Sequence, residues 1–169
     1  MFSSILKPNQ VLINFNIQQM NLITIIILLI ITSITSAKSN NQNCQDGDSA
    51  KWHNCRGAVV INLSTYVGEF KEGMPSGYGT FTYSDGSVYV GDFEKGKEHG
   101  QGVFNCWAHG SKYVGQFKNG KKHGKGIYTY PDGAIYNGEW IEGKREGEGI
   151  MIFKDGKKLV GKFKNDKYQ

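Results

Sequence analysis

His99 and His123 stand in matching surroundings, Glu98-His99-Gly100 and Lys122-His123-Gly124, so imidazole chemistry is the first to consider. Two histidines can share a metal ion or pass a proton. Their neighbours recur with them, however, and the same slot holds Ser76 and Glu146 elsewhere in the chain. Equivalent positions two strands apart are about 9–10 Å from each other, too far for direct proton relay and awkward for one metal. The histidines are therefore read as structural. Glu69, Asp92 and Glu139 also recur at one position, and are expected to face solvent and offset lysines such as Lys71 and Lys95. No Gly-x-Ser-x-Gly elbow and no phosphate loop ending in Gly-Lys-Ser/Thr occurs. No catalytic residue, cofactor or metal site is assigned, and the chain is read as not an enzyme.

Cys44 and Cys55 bracket the polar segment "CQDGDSAKWHNC". Asp46, Asp48 and His53 lie inside it, but their spacing fits neither a zinc site nor a calcium loop. A local disulfide, two free thiols and a metal site are the three readings, and the disulfide is adopted. Cys106 has no obvious mate and sits beside Trp107. It is read as a small buried hydrophobe or as an intermolecular link. Asn62-Leu63-Ser64 is an N-glycosylation sequon.

The first 37 residues differ from the rest. No charged side chain occurs between Lys7 and Lys38, and Leu22 to Ile34 is almost wholly apolar. That length suits the hydrophobic region of a signal peptide and is short for a membrane span. Residues 1–37 are read as a signal peptide cut after Ala37, or as an uncleaved signal anchor. Either places the protein in the secretory pathway, secreted or membrane-anchored, where a disulfide persists.

Self-comparison explains the remaining residues. "YVGEFKEGMPSGYGTFTYSDGSV" begins at Tyr66, and similar units follow from Tyr89, Tyr113 and Tyr136, with a fragment from Leu159. The units are 66–88, 89–112, 113–135, 136–158 and a partial 159–169; residues 38–54 form a linker and 55–65 a degenerate half-unit or cap. Each unit opens with Tyr-x-Gly-x-Phe/Trp: Tyr66, Gly68 and Phe70; Tyr89, Gly91 and Phe93; Tyr113, Gly115 and Phe117; Tyr136, Gly138 and Trp140. At a period of two these share one strand face. A second extended piece follows a Gly-x-Gly pair, joined to the first by a polar loop such as "KEGMPSG". Asp-Gly at 85–86, 132–133 and 155–156 turns the chain into the next unit. Glycine shares a face with the aromatic residues because a ring from one strand can cover the bare backbone of its neighbour. The predicted fold is all-β: an elongated ladder of antiparallel hairpins, preceded by an N-terminal hydrophobic helix. The Cys44–Cys55 loop would tie down one edge, and Lys162, Lys164 and Lys167 would protect the other.

The pattern Tyr-x-Gly-x-Phe/Trp-x-x-Gly-x-x-His-Gly-x-Gly at a 23-residue period resembles the MORN (membrane occupation and recognition nexus) repeat, most closely in "KNGKKHGKG" and "YPDG". It covers Tyr66 to Gln169 and reaches back toward Cys55. Unit two departs from it, with His109-Gly110 in place of Asp-Gly and one extra residue. The resemblance implies a narrow, twisted β-structure that serves scaffolding, protein association or contact with phospholipids.

Charge separates the binding classes. Net charge is +5 overall, and Tyr66 to Gln169 holds 16 basic against 13 acidic residues. That is too mixed for a nucleic-acid stripe. A protein partner or self-association is expected, with no nucleic acid and no small-molecule substrate. Membrane contact would come through the N-terminal segment or through anionic lipid. For the lipid alternative, Lys118, Lys121, Lys122 and Lys125 of unit three are the candidate residues.

Overall fold

The computed structural model describes residues 42–45 and 47–169. The expected N-terminal helix and cleavage site lie outside them. A short 3-10 turn, Ser49–Lys51, precedes eleven strands. These are β1 (Cys55–Ile61), β2 (Ser64–Lys71), β3 (Met74–Thr82), β4 (Val88–Glu94), β5 (Lys97–Cys106), β6 (Ser111–Lys118), β7 (Lys121–Thr129), β8 (Ile135–Ile141), β9 (Lys144–Ile152), β10 (Lys158–Lys164) and β11 (Lys167–Tyr168). They form one antiparallel sheet in which each strand pairs with the next in sequence.

Two kinds of turn alternate. Within a unit the connection is two residues, both at positive φ, as at Glu72–Gly73 and Asn119–Gly120. That geometry twists the same way as the strands it joins. The polar stretch read as a loop is consequently strand: β3 already begins at Met74. Between units the turn is longer and closes on the Asp-Gly glycine. The Tyr83 carbonyl accepts from Gly86 N–H at 3.0 Å, and Asp85 Oδ1 accepts from Ser87 N–H at 2.9 Å. Asp-Gly thus ends a three-residue turn, rather than forming the two-residue hairpin that dipeptide usually signals. In unit two the longer segment Trp107 to Gly110 replaces it, with Gly110 N–H bonding to the Cys106 carbonyl.

The register aligns glycine with glycine across the sheet: Gly57↔Gly68, Gly68↔Gly79, Gly79↔Gly91 and onward to Gly149↔Gly161. The Tyr66 ring lies flat over Gly68 and Gly79. A Cβ on Gly68 would come 2.6 Å from Tyr66 Cζ, and one on Gly79 would come 2.5 Å from Tyr66 Cε2. Tyr89, Tyr113 and Tyr136 repeat the arrangement, and all four rings are essentially excluded from solvent.

The rings then contact one another edge to face. Trp52, Phe70, Tyr66, Phe93, Tyr89, Phe117, Tyr113, Trp140, Tyr136, Phe163 and Tyr168 form an unbroken series, with successive centroids 4.8 to 5.5 Å apart. Edge-to-face pairs add about 0.5–1.5 kcal/mol each beyond the area they bury. This seam is the core.

Each end of the seam is finished differently. Before the first repeat, Trp52 and the Cys44 side chain cover Gly57 in place of a tyrosine. Cys44 is disulfide-bonded to Cys55, and its segment adds beside Arg56 on the edge of β1. At the far end Leu159 occupies the tyrosine position, and Tyr168 reaches back over Gly161.

Candidate functional site

The recurring polar residues turn inward to the backbone. The β4–β5 register shifts after Gly91, so that Asp92 pairs with His99 and the chain at Gly100–Gln101 bulges. Asp92 Oδ2 accepts from the Gln101 N–H at 2.9 Å, and Gln116 Oε1 accepts from the Lys125 N–H at 3.0 Å. The Glu69 and Glu139 carboxylates lie against Gly77 and Gly147 at the equivalent bulges. Asp92 and Gln116 thus staple their bulges, and none of Glu69, Asp92 and Glu139 forms an ion pair among the described residues, which corrects the expectation that they offset lysines. The tyrosine hydroxyls complete the bulges from the aromatic face. Tyr89 donates to the carbonyls of Asp92 and His99, and Tyr113 to those of Gln116 and His123. Burial pushes the Tyr136 hydroxyl up to about 12, and those of Tyr66, Tyr89 and Tyr113 further still.

His99 and His123 sit beside those bulges with buried Nδ1 atoms. His99 Nδ1 is 3.2 Å from Glu94 Oε2 but lacks the alignment of a hydrogen bond. Asp48 caps the turn at Ala50, and His53 Nδ1 accepts from the Glu72 N–H at 3.2 Å. Asp46 lies outside the described residues, among which no cluster of three or more metal-ligating groups occurs. Asn62 is exposed in the two-residue turn between β1 and β2, next to Leu63 at 87% exposure; Ser64 is buried and its Oγ accepts from the Ser84 N–H.

The four lysines of unit three divide between the two faces. Lys118 and Lys121 pair across the hairpin on the face away from the rings, and Lys121 bonds to Glu142. Lys125 shares that outer face. Lys122 pairs with Phe117 on the aromatic face, with its ammonium 4.3 Å from the Tyr128 ring centroid and 4.4 Å from that of Trp140. Loss of water at this site lowers the Lys122 pKa from its ordinary value.

Two surfaces remain that the sequence reading did not single out. The first is a mainly aliphatic row straight across the outer face, Val67, Thr80, Val90, Val103, Val114, Ile127, Asn137, Ile150 and Val160, interrupted by the polar Thr80 and Asn137. Val67, Val114 and Ile127 are over two-fifths exposed, and Val160 is 63% exposed. The signal was present in the valine that follows Tyr66, Tyr89 and Tyr113. The second is a cavity of about 460 Å³ on the aromatic face, lined by Tyr83, Phe104, Cys106, Tyr128, Glu98 and Lys122 among others. Its signal was Cys106 itself, which takes the place held by Tyr83, Tyr130 and Phe153 in the other units.

Comparison with known proteins bears on the repeats. The family model described as MORN repeat matches residues 66–88, 89–106, 113–135 and 136–158. No curated protein matches the chain. Among solved structures, the TCP domain of SAS-4 (dCPAP) in complex with a proline-rich motif of Ana2 (dSTIL), from Drosophila melanogaster, is similar at 9% identity. That likeness covers 64% of this chain and 90% of that one, with a TM-score of 0.22.

Proposed function

The chain belongs to the MORN repeat family, and we propose that it is a non-enzymatic scaffold that associates with protein through the outer face of its sheet. The aliphatic row from Val67 to Val160 carries this reading. Its unbroken part runs over four strands, Val90, Val103, Val114 and Ile127, and apolar patches left in water mark interaction surfaces. The simplest occupant is the same face of a second copy. A photocrosslinking residue placed at Val114 or Ile127 in the full chain tests it, expressed in the native cells. Covalent adducts with a second copy or with one recurrent protein are expected. Light scattering that finds only monomer, together with no protein adduct at either position, would sink the reading.

The scaffold is proposed to act in the secretory pathway or anchored at its membrane. The bonded Cys44–Cys55 pair supports this, because disulfides persist in oxidising compartments. Mass spectrometry of the N-terminus of the mature protein distinguishes cleavage after Ala37 from anchoring; a chain that starts at Met1 and stays in the reducing cytosol would overturn both.

A second reading, contact with anionic phospholipid headgroups, is favoured by one observation. Lys112, Lys118, Lys121, Lys125, Lys158 and Lys162 flank the aliphatic row on the outer face of its C-terminal half. Each basic residue near an anionic membrane contributes about 1 kcal/mol. Flotation with phosphatidylserine vesicles at low salt, lost at high salt, is the expected result; no flotation at low salt would exclude it.

A further inference from the structure

The repeat makes the aromatic-face cavity interpretable, because the other units show what belongs there. In unit one the Tyr83 ring packs on Phe81 at 4.7 Å, and its hydroxyl donates to the Glu98 carboxylate of the following unit. In unit three the Tyr130 ring packs on Tyr128 at 4.6 Å, and Arg145 of the following unit stands in the position equivalent to Glu98. Between units two and three the ring is replaced by Cys106, and the equivalent charged residue is Lys122. Both line the cavity. The cavity therefore stands where the neighbouring units place an aromatic side chain, and an ammonium group stands where that ring's polar end meets its partner.

Charge completes the description. The Glu98 carboxylate is engaged by Tyr83, and Lys121 is engaged by Glu142. Lys122 makes no ion pair among the described residues, and its ammonium rests on the Tyr128 and Trp140 rings at the cavity wall. His109 also lines the cavity. An incoming ring would stack among Tyr83, Phe104 and Tyr128, while an oxygen acceptor or carboxylate beside it would meet Lys122.

We propose that this cavity is a docking slot for a tyrosine side chain in an acidic stretch of a partner polypeptide. The slot lies on the face opposite the aliphatic row, so it stands or falls independently of the association proposed above.

The probe is the acetylated, amidated peptide Glu-Tyr-Glu, with Glu-Ala-Glu and Lys-Tyr-Lys as controls, added to the full chain. Cys106 is the single cysteine outside the disulfide, so its alkylation by a maleimide reports directly on the slot. Glu-Tyr-Glu is expected to slow alkylation and to shift backbone amide resonances in β5 to β7, while the controls do neither. Cys106→Tyr supplies the ring found in neighbouring units, and is expected to fold and to lose the shifts. Lys122→Gln keeps the thiol and is expected to weaken Glu-Tyr-Glu by about tenfold, the worth of a charge-assisted hydrogen bond. Three results would each overturn the proposal: no protection or shift by Glu-Tyr-Glu, equal protection by Lys-Tyr-Lys, or undiminished affinity in Lys122→Gln. Undiminished shifts in a folded Cys106→Tyr would do the same.

Discussion

At the scale of the residue, the tyrosine that opens each unit does two things that phenylalanine could do only by half. Its ring covers paired glycines, and its hydroxyl satisfies carbonyls that the bulge takes out of the ladder. Tyr113→Phe keeps the first role and orphans the carbonyls of Gln116 and His123. The expected loss is about 1–3 kcal/mol in urea unfolding. Gly126→Ala should cost more, because its Cβ would lie 2.5 Å from Tyr113 Cε2 over rigid backbone. The hydroxyls also set a pH dependence. Burial raises the Tyr136 pKa from 10.0 to about 12 in the folded chain, so its stabilising effect is whole below pH 10.0 and is lost as pH rises toward 12. The unfolded chain gives up that proton first. Alkaline unfolding should therefore steepen above pH 10.0, and Tyr136→Phe should remove about one proton from the pH slope between 10.0 and 12. Rings over glycine were legible in the sequence, because both recur at a period of two. The hydroxyl's partner was not, since it exists only once the bulge has freed a carbonyl.

At the scale of the element, the hairpins and the places of their turns could be read from the chain, but the turn within each unit was drawn too long. "KEGMPSG" looks like a loop because it is polar and glycine-rich. Its glycines serve two different needs: Gly73 forms the tight turn, while Gly77 sits at the bulge inside β3. Composition cannot separate the two, whereas φ can. The turns also carry correctable strain. Lys95 lies at φ 49, where ordinary side chains are disfavoured by about 1–2 kcal/mol. Unit three solves the same position with Asn119. Lys95→Asn should accordingly raise stability by about 0.5–1 kcal/mol in thermal unfolding, because asparagine tolerates this conformation. An unchanged midpoint would show that the turn is not limiting. The cavity escaped the sequence reading for a related reason. Cys106 was visible as a departure, but that it stands in for a ring depends on a register that one inserted residue obscures.

At the scale of the whole sheet, every strand contacts its sequence neighbours and little else, so stability should be distributed by neighbour rather than pooled. The disulfide acts at one end of that series. Replacing Cys44 and Cys55 by serine should cost about 2–4 kcal/mol locally. Hydrogen exchange should then quicken in β1 and β2 while β6 to β9 keep their protection. A uniform loss across the sheet would show that it unfolds as one unit. The two edges are finished by different means. The disulfide-linked segment and Trp52 close the side of β1 near Arg56, and β11 is two residues long, its Lys167 paired with Lys164 of β10. The strictly sequential strand order also bears on how the chain matures. No strand waits for a partner made much later, so contact order is low and each new hairpin can zip onto a finished template as it leaves the ribosome or a translocon. Within the described sheet the cystine-bearing end is made first, so folding is expected to spread from that rung toward β11 like growth on a seed.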